Sequence, residues 1–206
     1  MLRVRIRERT TMLSIAHLLE KIGIQITPYY ITQEFLSDEM ELSLEPKIQP
    51  VVSSFLSSTE INAMYNHPEI KSLGGEIHNW QDDNCLCFSL KYNEEIIAYM
   101  WCNLSRCNIH FSPFLLNHDE SYLFRARTLR AYRGKNLVPF LRYQLYKSLV
   151  EMKRTKFYSI TEYFNTPALN FKKKLRAKHI KLCLYFGLFN KRLWNVTLKK
   201  YQVADQ

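Results

Sequence analysis

Between positions 130 and 136 the chain reads Arg-Ala-Tyr-Arg-Gly-Lys-Asn, three cationic side chains grouped around one glycine. Before this stretch, Tyr122, Phe124, Ala126 and Thr128 alternate with Leu123, Arg125, Arg127 and Leu129, the period of a strand. After it, Leu137, Phe140, Leu141, Leu145 and Leu149 fall on one helical face. A basic, glycine-containing turn that opens a helix sets cations beside backbone amides that have no helical partner. That combination is suited to holding phosphate. Pro139 fits the first helical turn, where its missing N–H costs no helix bond, although it removes one donor. A second cationic run, Lys172-Lys173-Lys174-Leu175-Arg176-Ala177-Lys178, reads either as a solvated helix face or as a contact for an anionic partner.

These residues need a scaffold, and composition bounds it. A chain of 206 residues that is 47% hydrophobic can bury a core as one domain, or one domain with an extension. Residues 1–118 carry 9 basic and 14 acidic side chains, whereas 119–206 carry 20 and 5. The C-terminal part is therefore +15 and the N-terminal part −5, a field that draws in an anionic partner. No helix-turn-helix, zinc-finger or other reader motif accompanies the basic residues, so specific nucleic-acid binding is not expected. Cys85, Cys87, Cys102, Cys107 and Cys183 form no CxxC pair and no Cys/His set, which points to reduced thiols in a cytoplasmic protein without a metal. The apolar run Met12 to Leu19 follows Arg3, Arg5, Arg7 and Arg9 but is interrupted by Ser14 and His17, is followed by Glu20-Lys21 and shows no small-x-small cleavage site, so a signal peptide is not expected, and the run is too short to span a bilayer. It is expected to pack on the domain or on a second copy in a homodimer; weak peripheral contact with an anionic membrane is the alternative.

In chain order, a helix over 11–22 ends at Gly23, and Ile24 to Leu36, interrupted by Pro28, is a mixed connection or a strand. Residues 38–45 alternate like an edge strand. Ser58-Thr59-Glu60 opens a short helix that stops at Asn66-His67-Pro68. Cys85 to Tyr92 and Ile96 to Cys102 form a hairpin about Asn93-Glu94, with Leu86, Phe88, Leu90 and Tyr92 on one face. Asn103 to Asn117 is irregular or holds a short strand. Lys156 to Thr161 is a strand, which makes strand, helix, strand a parallel crossover. Ile180, Leu182, Leu184 and Phe186, then Trp194, Val196 and Leu198, form a terminal hairpin about Asn190-Lys191-Arg192.

The segment Tyr132-Arg133-Gly134-Lys135-Asn136-Leu137 resembles the acyl-CoA pyrophosphate loop of the GNAT N-acyltransferase superfamily, with Asn136 at the second glycine and Val138 at the last small position. Asn165-Thr166-Pro167-Ala168-Leu169-Asn170-Phe171 resembles the family's motif in which an Asn leads into a helix along the cofactor. Lys172 then stands where a tyrosine acid is common, and Arg176-Ala177 stand at the usual Gly-Phe pair. The resemblance implies an α+β fold: a mixed, mostly antiparallel twisted sheet with flanking helices, β-α-β-α-β-β in its C-terminal half. Residues 1–37 would be a helical N-terminal extension of the same unit, and 38–206 the acyltransferase domain.

It also implies a function, transfer of acetyl from acetyl-CoA (or another acyl-CoA) to a primary amine by direct attack, without a metal. Gly134 to Val138 would donate amides to the pyrophosphate, Arg133 and Lys135 would supply charge, and Thr128, Leu129 and Arg130 would offer backbone bonds to the pantetheine arm. Asn165 would lie on the cofactor side. The Lys172–Lys178 run, where it is not simply a solvated face, would read the 3′-phosphate of coenzyme A or an acidic acyl carrier protein. Glu162 is the candidate base, Glu120 a second, and Tyr163 a replacement acid; Tyr122, His110 and His118 complete the titratable candidates. The acidic first half favours a cationic acceptor, either a small molecule or a protein lysine. Two alternatives stand beside this reading: transfer of a longer chain from acyl carrier protein, and a catalytically silent acyl-CoA-binding or regulatory protein.

Overall fold

The computed structural model describes residues 18–37, 44–71, 80, 85–107, 113–189 and 192–202. The start of the 11–22 helix, most of the expected strand at 38–45, His110 and most of the 190–192 turn lie outside them; residues 18–21 are helical. The strands are β1 (Ile24–Glu34), β2 (Val52–Phe55), β3 (Leu86–Tyr92), β4 (Glu95–Asn103), β5 (Arg106–Cys107), β6 (Phe114–Leu115), β7 (Glu120–Thr128), β8 (Lys156–Glu162), β9 (Lys178–Leu188) and β10 (Arg192–Lys200). The helices are α1 (Ser58–Tyr65), α2 (Pro68–Lys71), α3 (Leu137–Glu151) and α4 (Thr166–Lys174). Eight strands form one sheet in the order β10-β9-β1-β8-β7-β4-β3-β2, and β5 and β6 form a small ribbon beside it. Every junction of the large sheet is antiparallel except β7 with β8. This is the mixed, mostly antiparallel α+β architecture expected from the sequence.

Local chemistry explains the elements that were legible. Ser57 caps α1 in a reciprocal capping box with Glu60. Asn93 and Glu94, at φ 48° and 63°, make the two-residue turn that the twist of β3 and β4 requires. On one sheet face α3 buries Leu137, Leu141, Leu145 and Leu149 against Phe88, Met100, Leu123 and Phe157. The other face packs α1 and α2 on Cys85, Cys87, Tyr99 and Trp101. All five cysteines are buried and none is in a disulfide.

Residues 24–34, left open as connection or strand, form a strand that is paired on both sides, by β8 and by β9. Pro28 is tolerated there because β8 has ended beside it. The ladder with β8 begins at Tyr29 with Glu162, and the Pro28 carbonyl accepts from the Tyr163 amide. A residue's N–H and C=O point to the same side in an antiparallel ladder, so the absent N–H forfeits only the reciprocal bond to Tyr163 at the margin of the β8 ladder and leaves the β9 side untouched.

The last residue of β1, Glu34, is fully buried and holds four elements together. Arg142 of α3 donates to both its oxygens, Nη2 to Oε1 at 2.8 Å and Nε to Oε2 at 2.9 Å. Tyr146 of α3 and Ser159 of β8 donate to the same carboxylate. Lys172 of α4 places its ammonium 3.8 Å from Oε1. Burial alone would raise the Glu34 carboxyl, but the charges of Arg142 and Lys172 with hydrogen bonds from Arg142 and Ser159 hold it at about 2.

Removing one partner of such a pair leaves a bare buried charge. Arg142→Met is expected to lower the unfolding free energy by about 3–5 kcal/mol, read by urea denaturation, and adding Glu34→Leu should recover part of that loss. A depressed carboxyl stabilises fully above its unfolded value and loses that contribution as pH falls through its folded value. Wild-type stability should therefore decline between the ordinary 4.5 and about 2, and Glu34→Gln should flatten that part of the pH–stability curve.

Candidate functional site

The parallel junction is short. β7 and β8 pair only at Glu120 with Lys156, Ser121 with Phe157 and Tyr122 with Tyr158. Beyond Tyr122, β7 stays with β4 up to Thr128, while β8 stays with β1 up to Glu162. A wedge therefore opens between 123–128 and 159–162, and one edge of each strand has no strand partner there. A bulge lies within it. Tyr99 pairs with Arg127 and Trp101 with Phe124, so Arg125 and Ala126 together oppose Met100. Arg125 takes a left-handed φ of 52°, and the alternation expected from Tyr122 to Thr128 breaks there. Phe124 packs on the α1/α2 face, whereas Ala126 joins Leu123 on the α3 face.

At the mouth of the wedge stands the basic loop. Arg130–Tyr132 form a single 3-10 turn, Gly134 has φ 77° with nothing within 4 Å of where a Cβ would lie, and Asn136 has φ 60°. Asn136 occupies the N-cap of α3 but makes no capping bond to it. Its side chain instead donates to the Glu45 carbonyl at 3.2 Å and accepts from Lys174 at 2.8 Å. The Lys47 amide donates to the Lys135 carbonyl at 3.0 Å, so residues 45–47, which the sequence did not single out, brace the loop. The first amides of α3, Leu137 and Val138, consequently have no side-chain cap, and Pro139 has no N–H. Arg133 Nε donates to the Thr128 carbonyl at 3.3 Å, and Lys135 Nζ lies 5.2 Å from the Tyr132 ring centre.

Two of the three expected backbone positions for the pantetheine arm are already engaged at their N–H groups. Leu129 donates to the Ile97 carbonyl, and Arg130 to the Glu69 carboxylate at 3.1 and 3.2 Å. The unpaired edge of β7 after Tyr122 is what lies along the wedge. Asn165 caps α4 by accepting from the Ala168 amide at 3.1 Å.

The candidate carboxylates are not brought together. Glu120 sits at the paired end, where Oε2 accepts from the Asn117 amide and Oε1 from the Tyr158 hydroxyl. Glu162 lies six residues beyond Lys156, the register partner of Glu120, hence about 20 Å along the strand direction. Glu162 is exposed at the open end beside Tyr163, whose ring stacks on Tyr30 at 5.5 Å. Tyr122 is buried, and His118 is exposed near Glu120.

Lys172 differs most from the sequence reading. It is 4% exposed, and its ammonium binds the Thr161 hydroxyl on the unpaired reach of β8. Burial lowers its pKa, Glu34 pulls it back up and Arg142 lowers it again, leaving it at about 8. The signal for this cluster was present in the sequence: Arg142 falls on the face of α3 that also carries Leu145, Tyr146 and Leu149, where a cation has no place unless it is paired. Among the described residues no group of His, Cys, Asp and Glu could hold a metal, and no helix is long and apolar enough to cross a membrane.

No protein-family model matches the chain, and no curated protein matches it by sequence. Solved structures do match in shape. A GCN5-related N-acetyltransferase-like protein from Streptococcus suis superposes with a TM-score of 0.58 at 12% identity, covering 83% of this chain and 66% of that one. A GCN5-related N-acetyltransferase from Kribbella flavida gives 0.53 at 12% identity over 84% of this chain and 63% of that one. A tandem GNAT protein from the clavulanic acid biosynthesis pathway gives 0.54 at 10% identity over 91% and 59%. This chain thus spans about two thirds or less of the length of these neighbours. Sheet order, splayed parallel junction and these likenesses converge: the chain has the fold of the GCN5-related N-acetyltransferases.

Proposed function

We propose that this chain is an acyl-CoA-dependent N-acyltransferase that moves an acyl group, acetyl in the simplest case, onto a primary amine. The observation that carries this reading is the wedge between β7 and β8 with an uncapped helix N-terminus and two cations at its mouth. An extended pantetheine arm fits an unpaired strand edge because it can take the backbone bonds a further strand would take. A pyrophosphate fits the Leu137 and Val138 amides beside Arg133 and Lys135, and the left-handed Gly134 lets the backbone approach it closely.

In this reading the acyl carbonyl lies at the bulge of β7, and the amine enters from the α1/α2 face. Glu162, exposed at the open end of β8, takes a proton from the attacking amine directly or through water. Glu120, at the closed end and already bound by the Asn117 amide and the Tyr158 hydroxyl, is the second candidate base. The basic run offers acyl carrier protein less than its sequence suggested, since Lys172 is buried and Lys174 is bound to Asn136. The acceptor is a small molecule or a protein amine.

Calorimetric titration with acetyl-CoA tests the reading directly. Binding is expected, with affinity that falls as salt rises. The double variant Arg133→Ala/Lys135→Ala should bind about 10–100-fold more weakly at low salt and show a shallower salt dependence, since two charge-assisted contacts are lost. Absence of acetyl-CoA binding by wild type would overturn the proposal.

A further inference from the structure

Large hydrophobic side chains that face solvent are concentrated at one place, the outer edge of the sheet. Ile22, Phe189, Leu193, Trp194, Val196 and Leu198 are each between 43% and 62% exposed. Strand register brings them together. Ile24 pairs with Leu188 and Leu188 with Arg192, so the start of β1, the end of β9 and the start of β10 share one corner, where the Phe189 ring lies against Gly23. β10 pairs with β9 alone, and its other edge is open. Trp194 stands opposite Phe186 and Val196 opposite Leu184, on the sheet face that also carries Ile26 and Pro28 of β1. None of these side chains belongs to the two clusters that α1, α2 and α3 cover. An exposed apolar patch of this extent marks an interaction surface.

We infer that this edge is the docking surface for an anionic lipid bilayer, with β10 lying along the boundary between bilayer and water. Charge is the first reason. Lys181 and Lys200 are direct cross-strand partners, Lys199 precedes Lys200, and Lys21 stands at the corner, all four exposed. Like charges opposite each other on neighbouring strands are unfavourable, and anionic headgroups relieve that cost. Glu20 is the one acid within 18–22, 186–189 and 192–200. A second copy seated on the same patch would double the cations without neutralising them.

Side-chain type and shape point the same way. Trp, Phe and Leu beside lysines, whose stems lie on apolar surface while the ammonium stays in water, make an interfacial composition. Leu193, opposite Gly187, projects from the face away from Trp194, and Ile22 and Phe189 sit at the corner, so apolar groups surround an edge instead of forming one flat face. A fluid bilayer boundary takes up such an edge, whereas a folded partner has to present a groove that matches it. The open backbone groups of β10 stay at headgroup depth, where water reaches them. β9 and β1 separate β10 from β8, so this surface is distinct from the wedge and does not rest on the acyl-CoA reading.

The test is sedimentation of the full chain with vesicles of phosphatidylcholine alone and of phosphatidylcholine mixed with phosphatidylserine, at low and high salt. Wild type should bind the anionic vesicles about 10–100-fold more tightly than the neutral ones, and less tightly as salt rises. Tryptophan emission should shift to the blue on binding, and Trp194→Phe should remove that shift. Leu193→Thr/Val196→Thr/Leu198→Thr keeps every charge and should bind the anionic vesicles about tenfold or more weakly. Lys199→Gln/Lys200→Gln should lose several-fold of the preference for phosphatidylserine. These side chains are exposed, so the urea midpoint and the response to acetyl-CoA should match wild type in each variant. Failure of wild type to bind anionic vesicles overturns the inference. Equal binding by the apolar triple variant also overturns it, since bulk charge would then suffice. A wild-type dimer in analytical ultracentrifugation that the triple variant turns into a monomer overturns it as well, because a second copy would then hold the patch.

Discussion

A single carboxylate at the end of the first strand ties the architecture together. Glu34 is bound bidentately by Arg142, receives Tyr146 and Ser159, and faces Lys172, so one buried group joins β1 to α3, β8 and α4. Those are the strand on one flank of the wedge, the helix at its mouth and the helix alongside it. Packing alone, which is non-directional, would leave their relative positions less defined; a forked guanidinium on a carboxylate fixes both distance and orientation. Desolvating three ionisable groups has a large cost, recovered only in part by their mutual attraction.

The same constraint separates the two flanks. β8 is held to β1 over six register pairs and to β7 over three. The sheet therefore parts where its hold is weaker, and the bulge at Arg125 turns β7 within that gap. Charge follows the geometry. The cationic half of the chain supplies Arg133 and Lys135 at the mouth of the wedge, and Arg142 and Lys172 beside it, so the field there is one that would attract the anionic cofactor proposed for the site.

Legibility in the sequence tracked how local each signal was. The β3–β4 hairpin, the β7–loop–α3 unit and the terminal hairpin rest on period and turn chemistry within about ten residues, and those were readable, while α4 behind Asn165 was expected from the family resemblance. β1 was not, because Pro28 argued against a strand with partners on both sides, and only the end of β8 beside it makes the proline harmless. The bulge was hidden because no residue type announces an arginine in left-handed conformation. Glu120 and Glu162, two separate base candidates in the sequence, lie at opposite ends of the β7–β8 junction because the two strands run parallel and Glu120 starts one while Glu162 ends the other. Lys172 read as one lysine in a basic run; its burial depends on Glu34, which lies 138 positions earlier in the sequence.

Amide hydrogen exchange with and without acetyl-CoA would test the central claim most directly, since it reads backbone groups one segment at a time. If the wedge holds the cofactor, protection should rise at Gly134, Lys135, Leu137 and Val138 and along 123–128 of β7, while β2, β3 and β10 remain unchanged. Protection confined to the β9–β10 end, or none at the start of α3, would contradict it.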